Sequence, residues 1–216
     1  MEQVLGSPVG RRESRRQSRR DAIVAVAGRS FLERGYAGTT MSAIAATLGG
    51  SKGTLWSYFP SKEELFAAVI DQVTAMFRER LAAILDPDAD FETTLRHFCV
   101  QFVEKVTSPD AIALHRLVTG EAGRFPEIGR IFYERAPRMT HGHLAAFLSG
   151  AMNRGLLRRD EPMVAARLLV SLCMSGCHHK LLMGLIDRAS PQAIVEDAER
   201  AVGFFLRGFA ARAEAG

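Results

Sequence analysis

The sequence predicts an all-α protein in which a small N-terminal helical domain precedes a larger helical bundle. Apolar residues recur at spacings of three and four along most of the chain, as expected for helices buried along one side. No alternating apolar and polar run is flanked by hairpin-turn residues, and no internal repeat is evident. Ser, Thr, Pro and Gly stand where the periodic segments begin and end, so helix boundaries can be predicted as well.

The N-terminal domain is predicted to span 15–66, after a disordered basic arm at 1–14. Its first helix starts at Arg15 and closes at Gly35, a residue typical of the position after a helix. The predicted helices that follow lie at 41–48, 52–58 and 61–85. Thr40, Ser51 and Ser61 are suited to cap them, and Glu64 completes a capping box with Ser61. Two short helices joined by Gly49-Gly50 are typical of a helix-turn-helix.

The C-terminal domain is predicted to span 67–216, and the helix at 61–85 connects it to the first domain. Its further predicted helices lie at 91–107, 110–121, 126–153, 162–186 and 191–212, with a bend at Pro137. The pattern predicts a helical bundle.

Composition excludes several classes of protein. Apolar residues make up 47% of the 216 residues, which is enough for an ordinary core. Their stretches are too short for a membrane span, and the N-terminus lacks the apolar run of a secretory signal. Three cysteines do not make a disulfide framework. We therefore expect a reduced, cytoplasmic protein with no membrane partner.

Positive charge is concentrated near the N-terminus. Residues 1–60 hold nine Lys or Arg against four acidic residues, a net charge of +5. The rest of the chain holds 19 basic and 20 acidic residues, a net charge of −1. This asymmetry indicates one end that binds a polyanion and a nearly neutral opposite end.

The second short helix has the side chains of a DNA-recognition helix. Ser51, Lys52 and Thr54 stand at its leading end, where backbone N–H groups also favour phosphate. Gly53 is tolerable inside a helix where DNA must approach closely. Tyr58 can donate its hydroxyl to a phosphate. Leu55 and Phe59 are predicted to be core residues that hold this helix to the rest of the domain. For Trp56, packing in the core is as well supported as DNA contact, and Tyr58 could also simply pack against neighbouring helices.

Six arginines lie in the ten residues of "RRESRRQSRR". We expect this run to attract DNA without reading its sequence, as a disordered arm or along one side of a helix. The alternative is a solvated basic tail that improves solubility.

The segment "GYAGTTMSAIAATLGGSKGTLWSYFPSKEELFAAVI" resembles the N-terminal domain of TetR-family (tetracycline-repressor-like) transcriptional regulators. The resemblance covers about 20–70 strongly, and "HRLVTGEAGRFPEIGRIFYERAP" is similar, more weakly, to the C-terminal ligand-binding and dimerisation domain of one branch. It implies an all-helical homodimer. By position, the implied DNA contacts are Thr40, Ser51, Lys52, Gly53, Thr54, Trp56, Tyr58 and Lys62.

The resemblance also implies an effector pocket in the C-terminal domain. The predicted ligand-binding residues are Phe98, Phe102, His115, Phe132, Phe147 and Cys173. Their aromatic character favours an apolar or aromatic small molecule. An ordinary hydrophobic core is the alternative interpretation for any one of these phenylalanines.

The segment "LCMSGCHHKLLMG" raises the question of a metal site. Within one helix, Cys173 and Cys177 would face the same side, with His178 and His179 adjacent. No CxxC pair occurs, so we expect neither a metal nor a cofactor here. Small residues at Ser175, Gly176 and Gly184 instead favour close helix packing. We expect the helices at 162–186 and 191–212 of each subunit to form a four-helix dimer interface.

These observations predict a DNA-binding transcriptional regulator, of the repressor type, that binds a palindromic operator as a homodimer and is released by a small-molecule inducer. The alternatives are an all-helical dimeric adaptor and a small-molecule sensor without a specific operator. The sequence shows no GxSxG, HExxH, P-loop or dinucleotide-binding motif, so an enzyme is not expected.

Overall fold

The computed structural model describes residues 8–49 and 52–211. In these ranges the only β-structure is an isolated antiparallel bridge between Leu157 and Ala210, so the all-α prediction is confirmed. The helices are α1 Pro8–Gly38, α2 Met41–Thr47, α3 Lys52–Tyr58, α4 Lys62–Ile84, α5 Phe91–Val106, α6 Pro109–Glu121, α7 Pro126–Arg135, α8 Pro137–Asn153, α9 Pro162–Met174, α10 Cys177–Leu182 and α11 Pro191–Phe209.

Helix α1 begins earlier than the sequence predicts. It starts at Pro8, so residues 8–14 of the predicted disordered arm are helical instead, whereas 1–7 lie outside the described residues. Arg, Gln and Glu are good helix formers, and proline is well accommodated at the first helical position. The hydroxyl of Ser18 donates to the Ser14 carbonyl 2.9 Å away, within the continuous helix. Regular geometry ends at Gly35, which has φ 74° and ψ 173°.

Two segments predicted as single helices are each divided in two. The segment at 126–153 changes direction at Ala136, immediately before Pro137, because a proline restricts the residue that precedes it. The segment at 162–186 breaks at Ser175 and Gly176, so α9 and α10 are separate helices.

The side chains form two hydrophobic cores. One lies among α5, α8, α9 and α11 and contains residues such as Phe98 and Phe205. The other joins α1, α2, α3 and the first half of α4, and it also includes Leu117, Val118 and Ile128 from α6 and α7. The N-terminal helices are therefore packed directly against part of the C-terminal bundle.

Helix α4 connects the two cores. The hydroxyl of Ser61 accepts a hydrogen bond from the Glu64 backbone N–H at 3.1 Å, which confirms the predicted N-cap. Leu65, Phe66 and Ile70 are buried in the N-terminal core, whereas Leu81 is buried in the C-terminal core. A single rigid element thus spans both parts of the molecule.

Candidate DNA-binding and effector sites

Helices α2 and α3 are positioned by a small number of anchors. The Thr40 hydroxyl accepts a hydrogen bond from the Ala43 N–H at 3.1 Å, so Thr40 caps α2 as predicted. Ile44 and Ala45 on α2 are buried in the core that also holds α1 and α4. Such short helices are marginal alone, and these contacts stabilise them.

Helix α3 has two unlike sides. Leu55 and, just after the helix, Phe59 are each only 2% exposed, as predicted for core residues. Gly53, Thr54 and Ser57 are exposed, and Trp56 retains 39% exposure. Trp56 is therefore on the open side of α3, although its ring is partly covered. The exposed side presents polar groups together with one large aromatic ring.

Lys52, a predicted DNA contact, is the first residue of α3, as predicted. Ser51, predicted to cap the helix and to contact DNA, lies outside the described residues.

Arginines of α1 lie beside the end of α3. The Arg16 guanidinium is 6.0 Å from the centre of the Tyr58 ring, and the Arg20 guanidinium is 5.0 Å from that of Phe59. Tyr58 is half-buried. Sequence reasoning identified the arginine run but not this contact with α3. One signal was available in the sequence. The helical spacing of residues 23–31 continues back through the arginine run, which places the arginines on the same helix.

Lys62 is engaged with the end of α1. Its ammonium donates to the Tyr36 carbonyl and lies 4.0 Å from the centre of the Tyr36 ring. Burial lowers the pKa of Lys62, which the nearby Glu121 carboxylate opposes. Three donors are available on an ammonium, so a phosphate contact is compatible with this position.

A carboxylate from the C-terminal domain holds the same turn. Glu121, the last residue of α6, accepts hydrogen bonds from the Tyr36 and Ala37 backbone N–H groups, both at 2.7 Å. A side chain at Gly35 would lie 2.5 Å from a Glu121 oxygen, so glycine is needed there for space as well as for its positive φ. The sequence has no local signal for this contact between residues distant in the chain.

The six predicted ligand-binding residues lie in two separate places. Phe98, Phe102, Phe147 and Cys173 are in the core among α5, α8, α9 and α11. Phe98 stacks on Phe102 with ring centres 5.9 Å apart. Each of these four side chains is at most 5% exposed, so they form a closely packed core.

His115 and Phe132 lie elsewhere, between α6, α7 and α10. The two rings are 5.8 Å apart, and His115 Nδ1 is 3.0 Å from Nε2 of His178. Burial lowers the pKa of His178 to about 4 and also lowers the pKa of His115. The structure therefore does not bring all six predicted residues together. Sequence reasoning also missed His178 as the partner of His115.

The helix break at Gly176 separates the two cysteines that a continuous helix would have placed on one side. Cys173 is completely buried in the C-terminal core. Cys177 begins α10, and its backbone N–H donates to the Asp197 carboxylate at 2.6 Å. Burial, followed by the Asp197 carboxylate, raises the pKa of the Cys177 thiol. Across 8–49 and 52–211, no group of three or more His, Cys, Asp or Glu is arranged to hold a metal ion.

Among the helices of the described ranges, none is both long and apolar enough to cross a lipid bilayer.

Comparison with known proteins matches the chain to two family models. Residues 23–69 match the one described as bacterial regulatory proteins of the tetR family. Residues 93–211 match the C-terminal domain of AefR-like transcriptional repressors. The HTH-type transcriptional regulator RutR of Escherichia coli K12 is 32% identical over 120 residues, which cover 48% of this chain and 57% of RutR. The chain thus spans little more than half the length of this curated relative.

Solved structures match over nearly the whole chain. The flavonoid-responsive regulator FrrA is 36% identical with a TM-score of 0.77, covering 91% of this chain and 100% of FrrA. A TetR-family regulator from Mesorhizobium loti MAFF303099 is 26% identical with the same TM-score of 0.77, covering 90% and 98% of the two chains. With a helix-turn-helix at its N-terminus and these two family matches, the chain belongs to the TetR family of bacterial regulatory proteins.

Proposed function

We propose that this protein is a cytoplasmic transcriptional repressor that binds a palindromic operator as a homodimer. The observation that carries this proposal is the two-sided α3, where Leu55 and Phe59 are buried and the opposite side is exposed. A helix of this size fits the major groove, which is about 12 Å wide. In a dimer, two such helices would read half-sites about 34–36 Å apart, or one DNA turn.

The proposed DNA contacts divide by chemistry. Hydroxyl and ammonium groups at the start of α2, α3 and α4 are suited to phosphate oxygens, and Gly53 permits close approach. Trp56 offers apolar area to a base or sugar, because its ring is on the open side of α3. The full proposed set is Thr40, Ser51, Lys52, Gly53, Thr54, Trp56, Tyr58 and Lys62.

The homodimer is proposed to form through α9 and α11. Val164 and Leu168, one helical turn apart on α9, are 38% and 48% exposed. On α11, Phe204 is 55% exposed. Apolar side chains exposed on two adjacent helices are typical of an interface between subunits.

The effector is proposed to be an apolar or aromatic small molecule. FrrA, which shares 36% identity over 91% of this chain, is described as flavonoid-responsive, and this supports an aromatic effector. Of the six predicted ligand-binding residues, Phe98, Phe102, Phe147 and Cys173 are packed in the C-terminal core. We therefore propose that the ligand contacts come from His115 and Phe132. This pair combines a polar nitrogen with an aromatic face, and His115 lies on α6, which contacts the N-terminal domain.

Selection of bound duplexes from a random library tests DNA recognition. We expect enrichment of a palindrome, and loss of that enrichment when Thr54→Ala and Trp56→Ala are combined. Glu79→Ala, on α4, is a matched control that should keep the preference. Recovery of duplexes without a common sequence would contradict the proposal.

A ligand panel then tests the effector. Flavonoids and aliphatic acids of similar size are compared for thermal stabilisation of the protein and for release of the selected duplex. The expected result is stabilisation and release by an aromatic compound, both weakened by Phe132→Ala. An aromatic compound that stabilises the protein but leaves operator affinity unchanged would contradict an inducer role.

A further inference from the structure

We propose that the N-terminal part of α1 is a second DNA-binding element, which binds phosphates flanking each half-site and reads no bases. Its contacts come from an arginine ridge made of Arg12, Arg15, Arg16, Arg19 and Arg20. The inference rests on the proposed function, because it concerns how the same regulator holds its operator.

The arginine ridge is a property of helical geometry. With about 100° of rotation per residue, its five arginines fall within an arc of about 140° on one side of α1. Ser14, Ser18 and Asp21 fall on the opposite side. All five are in the described helix; four of them are exposed and Arg19 is half-buried. A disordered arm would have no such side.

The same side of α1 faces the core further along the helix. Ile23, Ala27 and Phe31 are each at most 1% exposed and pack into the core that contains α3 and α4. By the same rotation, these residues lie on the arginine side of the helix. The arginine ridge therefore lies on the same side of α1 as these buried residues, just beyond the end of the core. On this side, α1 faces α3.

Contacts with the helix-turn-helix fix the position of the ridge. Arg16 and Arg20 lie against the Tyr58 and Phe59 rings at the end of α3, with distances of 6.0 and 5.0 Å. Arg19 Nη2 is 3.5 Å from the Leu48 carbonyl, at the turn between α2 and α3. Recognition helices contact base edges mainly through their N-terminal residues, so the opposite end of α3 is closer to the backbone. We therefore expect phosphates to be the DNA groups nearest the ridge.

The charge of the ridge is available to a polyanion. In the part of the chain that the structure describes, the ion pairs include none of its five arginines. Of the two acidic residues nearby, Asp21 accepts a hydrogen bond from Gln17 at 2.8 Å on the far side, and Glu13 is exposed at the edge of the ridge. Guanidinium groups bind phosphate with paired hydrogen bonds.

The length of the helix sets the reach of the contact. From Arg20 back to Pro8, α1 extends about 18 Å at 1.5 Å per residue. Base pairs are about 3.4 Å apart along the axis, so this length corresponds to about five base pairs. We expect each subunit to lengthen the protected duplex by about this amount.

The test compares the selected palindrome as a short duplex with the same palindrome carrying ten base pairs of random sequence at each end. The full-length protein should bind the flanked duplex about tenfold more tightly at low salt, whatever the flanking sequence. The variant Arg12→Gln/Arg15→Gln/Arg16→Gln should bind both duplexes equally. Its slope of log K against log salt should be shallower by about 0.9 for each phosphate that the variant no longer neutralises.

A matched variant separates local contact from net charge. Arg154→Gln/Arg159→Gln/Arg188→Gln removes three exposed arginines of the C-terminal domain and should keep the wild-type preference and slope. An arginine-ridge variant with the wild-type salt slope and flank preference would overturn the inference while leaving the proposed function intact. The inference would also be overturned if the arginine-ridge variant lost binding to vesicles of anionic phospholipid but bound the operator as the wild type does. A wild-type protein that enriches no duplex would overturn both.

Discussion

At the residue scale, the two neighbours Leu55 and Trp56 show how α3 divides stability from recognition. Leu55 is 2% exposed in the N-terminal core, whereas Trp56, about 100° further around the helix, is 39% exposed. Burial of a leucine stabilises the fold directly, and truncation also leaves a cavity. An aromatic ring on the open side contributes less to stability and remains accessible to DNA.

Leu55→Ala is expected to lower the free energy of unfolding by about 2–5 kcal/mol. Trp56→Ala should cost less than about 1 kcal/mol in stability but about 1–3 kcal/mol in operator binding. Urea unfolding followed by circular dichroism measures stability, because Trp56 is the only tryptophan and Trp56→Ala removes its fluorescence signal. Anisotropy of a labelled operator measures DNA binding. Equal loss of stability in the two variants would show that Trp56 is a core residue.

The histidine pair makes stability depend on pH. Burial depresses the pKa of His178 to about 4, so at neutral pH the folded protein holds it uncharged. Histidine in an unfolded chain titrates near 6.5, so the unfolded state binds more protons below that pH. Stability is therefore expected to fall as the pH drops from about 6.5 to about 4, by about 2 kcal/mol from His178.

Urea unfolding at a series of pH values measures this effect. His178→Gln should flatten the pH dependence, while His143→Gln, at an exposed position, should leave it unchanged. Some pH dependence should remain in His178→Gln, because burial also lowers the pKa of His115 and His141. A His178→Gln profile identical to the wild type would contradict the prediction.

At the element scale, the break between α9 and α10 is held by one buried carboxylate. Asp197 of α11 is 8% exposed and accepts the Cys177 N–H, which is the first of α10. Gly176 lies directly against the Asp197 carboxylate, so a side chain there would overlap it. The hydrogen bond and the missing side chain together allow α11 to pack closely at the break.

Gly176→Ala is expected to destabilise the protein by about 1–3 kcal/mol, because α11 must move or lose the hydrogen bond. Gly142→Ala is the matched control on α8, where an added Cβ meets no neighbouring side chain or helix within 4 Å. It should be neutral or slightly stabilising in the helix. Thermal unfolding of both variants measures the difference, and similar melting temperatures would contradict the close packing.

At the scale of the whole molecule, the two domains are joined through Glu121. Its carboxylate accepts both backbone N–H groups after Gly35, while Lys62 donates to the Tyr36 carbonyl from the other side. Tyr36 also contacts Phe125, with ring centres 5.3 Å apart. The position of α6 is therefore connected directly to the segment that leads into α2.

Glu121→Ala is expected to cost about 1–3 kcal/mol in stability, because the buried Tyr36 N–H loses its partner. Amide hydrogen exchange at Tyr36 and Ala37 should become faster than in the wild type, whereas Glu33→Ala, on an exposed side of α1, should leave it unchanged. Unchanged exchange in Glu121→Ala would show that water or another group replaces the carboxylate.

Dimer formation provides a second prediction at this scale. Leu168→Glu on α9 is expected to shift the protein from dimer towards monomer in sedimentation velocity, because it places a charge in the proposed apolar interface. Met76→Glu on α4 is the control, since Met76 is 73% exposed and α4 packs mainly against α1, α5, α7 and α8. A dimer that tolerates Leu168→Glu at micromolar concentration would place the interface elsewhere.

The helical class, most helix starts and the two anchors of α3 could all be predicted from the sequence, because each depends on information local in the chain. Caps at Thr40 and Ser61 satisfy N–H groups three residues ahead, and the period of 3.6 marks the buried side of a helix. The predicted start of α1 was wrong because charge and glycine suggested disorder, although the arginines themselves favour a helix.

Contacts between groups distant in the chain could be seen only in the folded molecule. Asp197 breaks a segment whose sequence reads as one helix, Glu121 holds a turn far away in the chain, and His178 pairs with His115. No periodicity marks such contacts, because each depends on how two helices pack side by side. The predicted effector residues separated into two places for the same reason: apolar spacing shows that a side chain is buried, but the packing of helices decides which side chains it lies among.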